Sequence, residues 1–65
     1  MTNPTVEFFR KQIADAESEI LSLDALISAL EDVPENSTQL GSLRRLRKMF
    51  EDNIAKWKDS IEAIQ

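Results

Sequence analysis

Carboxylate and cationic side chains are the groups in this chain whose chemistry could support catalysis or ligand binding. The 65 residues include twelve Asp and Glu and eight Lys and Arg, but no His, Cys or Tyr. Acid–base catalysis by carboxylates needs two of them facing one reacting group, whereas Glu17 and Glu19, two residues apart, diverge on a helix. The sequence has no Gly-rich phosphate loop and no spacing typical of metal ligands. We therefore expect no enzymatic activity, no catalytic or cofactor-binding residue, no metal and no cofactor.

Four basic residues within five positions form the other chemical candidate: Arg44, Arg45, Arg47 and Lys48. Such a cluster could contact the phosphates of a nucleic acid. On a helix, however, these side chains spread around most of the circumference, no aromatic residues alternate with them, and the chain has a net charge of −4. A solvated, salt-bridged helix face is the favoured interpretation, and a nucleic-acid-binding regulator remains the alternative.

The elements that carry these side chains are predicted by hydrophobic periodicity. Apolar residues recur at alternating spacings of three and four through the first half of the chain, which is the pattern of a heptad helix. This first stripe consists of Val6, Phe9, Ile13, Ala16, Ile20, Leu23, Ile27 and Leu30. Asn3 is suited to cap the helix, and Pro4 to occupy its first position. We therefore expect a helix at about residues 4–32.

A second helix is expected at about residues 38–64, after a loop at about 33–37. Pro34 disfavours helical geometry at Val33, and the polar residues after it are helix-capping candidates, so the start is expected between Ser37 and Ser42. Its stripe consists of Leu40, Leu43, Leu46, Phe50, Ile54, Trp57, Ile61 and Ile64. A strict heptad through this segment would place Asn53 and Ser60 inside. A straight helix, with Ile54 and Ile61 inside, is therefore preferred.

Two helices of similar length and a short connection predict an all-α, antiparallel hairpin in a single domain covering residues 1–65. Stripes this wide, in a chain this small, further predict a homo-oligomer, most simply a dimer that forms a four-helix bundle. The opposite charge balance of the helices should pair Arg44, Arg45 and Arg47 with Asp24 and Glu19, and Lys56 or Lys58 with Asp15. The residues expected to pack within the hairpin or dimer are Phe9, Ile13, Ile20, Leu23, Ile27, Leu30, Leu43, Leu46, Phe50, Ile54, Trp57 and Ile61.

The opening segment, residues 1–11 (MTNPTVEFFRK), leads into an acidic, Ala-containing helix and then a basic helix with Trp57. In this arrangement the chain resembles small early-region accessory proteins of lambdoid temperate bacteriophages. The resemblance implies a non-enzymatic protein that modulates host regulation or phage development through protein contacts. It assigns no functional residue.

Function is thus expected to lie in protein–protein interaction, and a purely structural coiled-coil oligomer is a further alternative. A homodimer and a host protein are the expected partners; no membrane is expected, and nucleic acid is not favoured. The N-terminus lacks a secretory pattern and no run is long enough to span a bilayer, so we expect a cytoplasmic protein. The surface expected to meet a partner consists of Phe8, Leu21, Met49, Arg44, Arg45, Arg47 and Lys48.

Overall fold

A computed structural model describes residues 3–64 of the chain; Met1, Thr2 and Gln65, including the first two residues of the opening segment, lie outside the described residues. Within this part the fold is all-α, with helices α1 (Pro4–Leu30) and α2 (Ser37–Ile64) and no strand. The two helices pack side by side as a helical hairpin. The hairpin measures 51 × 15 × 10 Å between Cα atoms along its principal axes, so it is a thin rod one helix pair wide.

Helix α1 begins where the local sequence predicts. The side chain of Asn3 accepts a hydrogen bond from the Thr5 backbone N–H at 2.9 Å, and the Asn3 carbonyl accepts one from the Glu7 N–H at 3.0 Å. Pro4 occupies the first turn, where its missing N–H leaves no partner unsatisfied. The predicted Asn3 cap is therefore confirmed.

The connection between the helices covers residues 31–36, whereas the expected loop was about 33–37. Helix α1 ends at Leu30, two residues before the expected end, and Val33 is extended, as the residue before a proline prefers. Pro34–Asn36 then form one turn of 3₁₀-helix. The Asn36 N–H donates a hydrogen bond to the Val33 carbonyl at 3.0 Å. This turn leads directly into α2 at Ser37.

Helix α2 runs without interruption from its first turn to Ile64, with Gly41 inside it. The backbone of Gly41 does not adopt a positive φ, so nothing in its conformation requires glycine. No helix of the described residues is both long enough and apolar enough to cross a membrane.

The core of the hairpin is a single seam between the helices. Its buried residues are Val6, Ile13, Ala16, Leu23 and Ile27 of α1 and Leu40 of α2. In the rest of the α2 stripe Leu43, Phe50, Ile54, Trp57 and Ile61 are half-buried, whereas Leu46 and Ile64 are exposed. No large side chain in the described residues is completely removed from solvent, because two helices have no second layer to cover the outer side of the seam.

Candidate interaction surface

The inner face of α2 contains a charged residue. Arg47 and its neighbour Leu46, which was expected in the packed stripe, are about equally accessible: the Arg47 side chain is 36% exposed and Leu46 is 37% exposed within this chain. Residues 43, 47, 50, 54, 57, 61 and 64 follow alternating spacings of four and three, so Arg47 continues the heptad pattern and Leu46 lies beside it. Asn53 and Ser60 are half-buried at the edge of the same seam.

Arg47 is compensated by two carboxylates. Its Nε donates a hydrogen bond to Asp24 Oδ1 of the facing helix at 2.6 Å, and its Nη1 forms an ion pair with Glu51, one turn further along α2. The aliphatic part of the arginine can cover the seam while the guanidinium reaches its edge. The predicted pairing of Arg47 with Asp24 is confirmed.

A second ion pair joins the helices nearer the connection. Arg44 Nη2 lies 3.6 Å from Glu31 Oε1, and both side chains are more than half exposed. Arg44 thus pairs with Glu31 rather than with the expected Asp24 or Glu19. Arg45 instead donates to Ser42 Oγ at 3.3 Å. Among the described residues no ion pair joins Asp15 to Lys56 or Lys58.

The two open sides of the hairpin differ in chemistry. We call one side the ionic flank, which contains Glu17, Leu21, Asp24, Ser28 and Glu31 of α1 and Arg44, Lys48 and Glu51 of α2. A shallow groove on this flank is lined by Glu17, Ile20, Leu21, Asp24, Arg47 and Ile54. Charges therefore surround the most exposed large apolar residue, Leu21, which is 70% exposed.

We call the opposite side the apolar flank, which contains Phe8, Ser22, Leu26 and Ala29 of α1 and Gln39, Ser42, Leu46 and Met49 of α2. Phe8 and Leu26 are about five turns apart and so share a face of α1, as Ser42, Leu46 and Met49 do on α2. Phe8, Leu26 and Met49 are 57%, 51% and 51% exposed. An open groove on this flank is lined by Leu26, Leu30, Glu35, Thr38, Gln39, Ser42 and Leu43.

The residues predicted as a partner surface thus do not form one patch. Phe8 and Met49 lie on the apolar flank, Leu21, Arg44 and Lys48 lie on the ionic flank, and Arg47 lies at the seam. Phe8 also contacts the half-buried Phe9 edge-on, with ring centroids 5.8 Å apart.

Sequence reasoning left Leu26 out of the predicted surface. The sequence did contain evidence for Leu26 as a surface residue, since it is a large apolar residue adjacent to the heptad positions of α1. Two further exposed apolar residues, Val33 beside the connection and Ile64 at the end of α2, were also left out.

The described residues contain no group of three or more acidic side chains placed to hold a metal ion. Their surface instead offers apolar area on one side and paired charges on the other, which is suited to binding another macromolecule. Comparison of the chain with protein-family models, curated proteins and solved structures finds no match. The function is therefore argued from the geometry of these two flanks.

Proposed function

We propose that this chain is a non-enzymatic protein–protein interaction module, an antiparallel helical hairpin that works as a homodimer in a four-helix bundle. The observation that carries the proposal is that large apolar side chains are exposed on the surface of a hairpin whose core is small. Leu21, Leu26 and Met49 are each at least half exposed, while no large side chain of the described residues is completely buried. A hairpin that exposes so much of its apolar surface gains stability by covering it.

The inter-helix contacts support the antiparallel arrangement. Asp24 pairs with Arg47 and Glu31 with Arg44, so residue numbers rise along one helix as they fall along the other. Pairs this exposed contribute little stability each, but they favour one relative alignment of the helices over others.

The dimer is in turn proposed to contact another protein. The resemblance of residues 1–11 and the two helices to early-region phage proteins suggests a regulatory protein of the bacterial host as that partner. The ionic flank supplies both signs of charge for such a contact, which favours specificity more than affinity.

Nucleic-acid binding by the basic cluster is the weaker alternative. Arg47 already contacts Asp24 and Glu51, and Arg44 lies near Glu31, so only Arg45 and Lys48 of the cluster have no acidic side chain within ion-pair distance in the described residues. Two cations on a chain of net charge −4 provide little driving force for counterion release. A shift of DNA or RNA at low salt that disappears in the double variant R45A/K48A would favour this alternative.

The proposal is tested by measuring solution mass by light scattering while helicity is followed by circular dichroism. The measurement covers about a hundredfold range of concentration, so that dissociation constants from the micromolar range downward are detected. A helical dimer supports the proposal. A stable, fully helical monomer throughout this range would overturn self-association.

Partner binding needs a second experiment, because a purely structural oligomer would also be a dimer. The tagged wild-type protein is compared with the charge-reversed variant R44E/K48E in capture from host cell extract, followed by competition with purified candidate partners. A defined protein that binds the wild type and not the variant supports the module. Absence of any such partner, with an intact dimer, would favour the purely structural alternative.

A further inference from the structure

We propose that the second copy of the chain packs on the apolar flank, around Leu26, Leu46 and Met49, and leaves the ionic flank facing solvent. This inference rests on the proposed dimer and identifies its contact surface. It is carried by three observations: the excess of exposed area, the distribution of charge and the shape of the surface near the connection.

The area that the hairpin exposes matches what a dimer would cover. Its accessible surface is 4899 Å², whereas a compact monomer of 7.4 kDa is expected to expose about 4200 Å². The radius of gyration, 15.1 Å, likewise exceeds the roughly 11 Å of a compact chain of this length. The excess area, about 700 Å², is close to the roughly 800 Å² that each partner contributes to a stable interface of standard size.

The distribution of charge indicates which flank the second copy covers. Covering the ionic flank would remove the Asp24–Arg47–Glu51 cluster and the Arg44–Glu31 pair from water, and that desolvation is costly without new partners. On the apolar side Asp15, Glu19 and Lys56 lie toward the open end of the hairpin, and Glu35 lines the groove with Leu26 next to the connection. None of these four residues forms an ion pair between the helices in the described residues, so covering this side removes no such pair from water.

In the half of the apolar flank nearer the connection, the charged residue of the groove is Glu35, at the end next to the connection. Because Asp24 contacts Arg47, Leu26 lies at about the same level along the hairpin as Leu46, and Ser22 at about the level of Met49. Small residues border these large side chains: Ser22, Ala29 and Ser42. A neighbouring helix can therefore approach to the usual 8–10 Å between axes and cover the apolar groups.

The test compares the same substitution on the two flanks. L26E and, separately, M49E are expected to weaken dimerisation by at least about a hundredfold, because each places a carboxylate inside the interface. L21E is the matched control, since Leu21 is even more exposed in the hairpin and lies on the ionic flank. It is expected to change the dissociation constant by less than about threefold. Sedimentation velocity measures the constants.

A second measurement keeps the inference testable if L26E or M49E loses helicity. The chain has no Cys, so S42C and S28C each provide one site for a spin label. Ser42 lies on the apolar flank and Ser28 on the ionic flank, at about the same level along the hairpin. The distance between labels of the two copies is expected to be shorter for S42C than for S28C.

The outcomes separate this inference from the proposed function. A dimer that is lost in L21E and kept in L26E, or a shorter label distance for S28C, overturns the apolar flank as the contact while dimerisation stands. A wild-type chain that is monomeric overturns both. The apolar flank could instead bind a different protein in place of a second copy. In that case the wild type would be monomeric, and the substitution L26E would abolish its capture of that protein.

Discussion

Arg47 is the residue whose position most changes the interpretation of this chain. As one of four clustered cations it looks like part of a binding patch, but in the hairpin it continues the inner heptad of α2 and pairs with Asp24 and Glu51. A polar residue at a single core position of a coiled coil typically favours one register at some expense of stability. Arg47 therefore contributes to the alignment of the two helices, and its guanidinium is paired with carboxylates of this chain.

Truncation of Arg47 should destabilise the hairpin more than truncation of the neighbouring Arg44. R47A is expected to lower the free energy of unfolding by about 1–2 kcal/mol, since it removes both a short ion pair and the packing of a long side chain. R44A should lower it by less than about 0.5 kcal/mol, because the Arg44–Glu31 pair is longer and more exposed. Urea unfolding at equal protein concentrations measures both.

The variant R47M separates the two contributions of Arg47. It keeps much of the side-chain volume and removes the charge, so a stability close to that of the wild type would attribute the loss in R47A to packing. Equal effects of R47A and R44A would contradict the placement of Arg47 in the seam.

At the scale of elements, each helix is delimited by local chemistry. The Asn3 side chain and Pro4 define the start of α1, while the extended Val33 and the 3₁₀ turn Pro34–Asn36 separate it from α2. These features involve residues within four positions of one another. They are therefore independent of how the two helices pack.

Removal of the cap should destabilise α1. N3A is expected to lower the free energy of unfolding by about 1 kcal/mol, because it leaves the Thr5 N–H without its acceptor. N3S, which retains an acceptor oxygen, should recover most of this loss. T5A provides a second control, since only the backbone of Thr5 takes part in the bond. An N3A variant as stable as the wild type in urea unfolding would contradict a stabilising cap.

A substitution at Gly41 should stabilise the protein rather than destabilise it. G41A is expected to raise the free energy of unfolding by about 0.5–1 kcal/mol, since Gly is unfavourable inside a helix relative to Ala. Space is available, because the added Cβ would meet Arg45 Nη1 at 3.8 Å, an ordinary contact distance. The reverse change A55G, at an exposed position of the same helix, should lower stability by a similar amount. Thermal unfolding followed by circular dichroism distinguishes the two directions, and destabilisation by G41A would contradict this account.

At the scale of the whole molecule, the hairpin resembles one half of a larger bundle. It has one apolar seam, one flank of paired charges and one flank of uncovered apolar side chains, and its area exceeds that of a compact chain. If folding and dimerisation are coupled as proposed, stability depends on protein concentration. Each tenfold increase then adds about 1.4 kcal/mol to the dimer relative to two separate unfolded chains.

The midpoint of urea unfolding should therefore rise with protein concentration. The wild type is compared at several concentrations with L26E, whose midpoint is expected to be lower and to vary less with concentration. A wild-type midpoint that is constant over a hundredfold dilution from about 100 μM would show that folding does not require the second copy.

The sequence by itself determined the all-α class, the capped start of α1 and the break before α2. These depend on periodicity, capping residues and proline geometry, which act over a few residues along one helix. Their outcome is the same whatever the helix packs against.

Only the tertiary structure decided how α2 faces α1 around Leu46. A stripe of apolar residues is compatible with more than one rotation of its helix, and in α2 the sequence favoured Leu46, whereas the structure leaves Leu46 37% exposed and brings Arg47 to the seam beside Asp24. That choice depends on the carboxylate of Asp24, 23 residues away along the chain, and no local pattern contains it. The same rotation placed the ion pairs between the helices on one flank and Leu26, Leu46 and Met49 on the other.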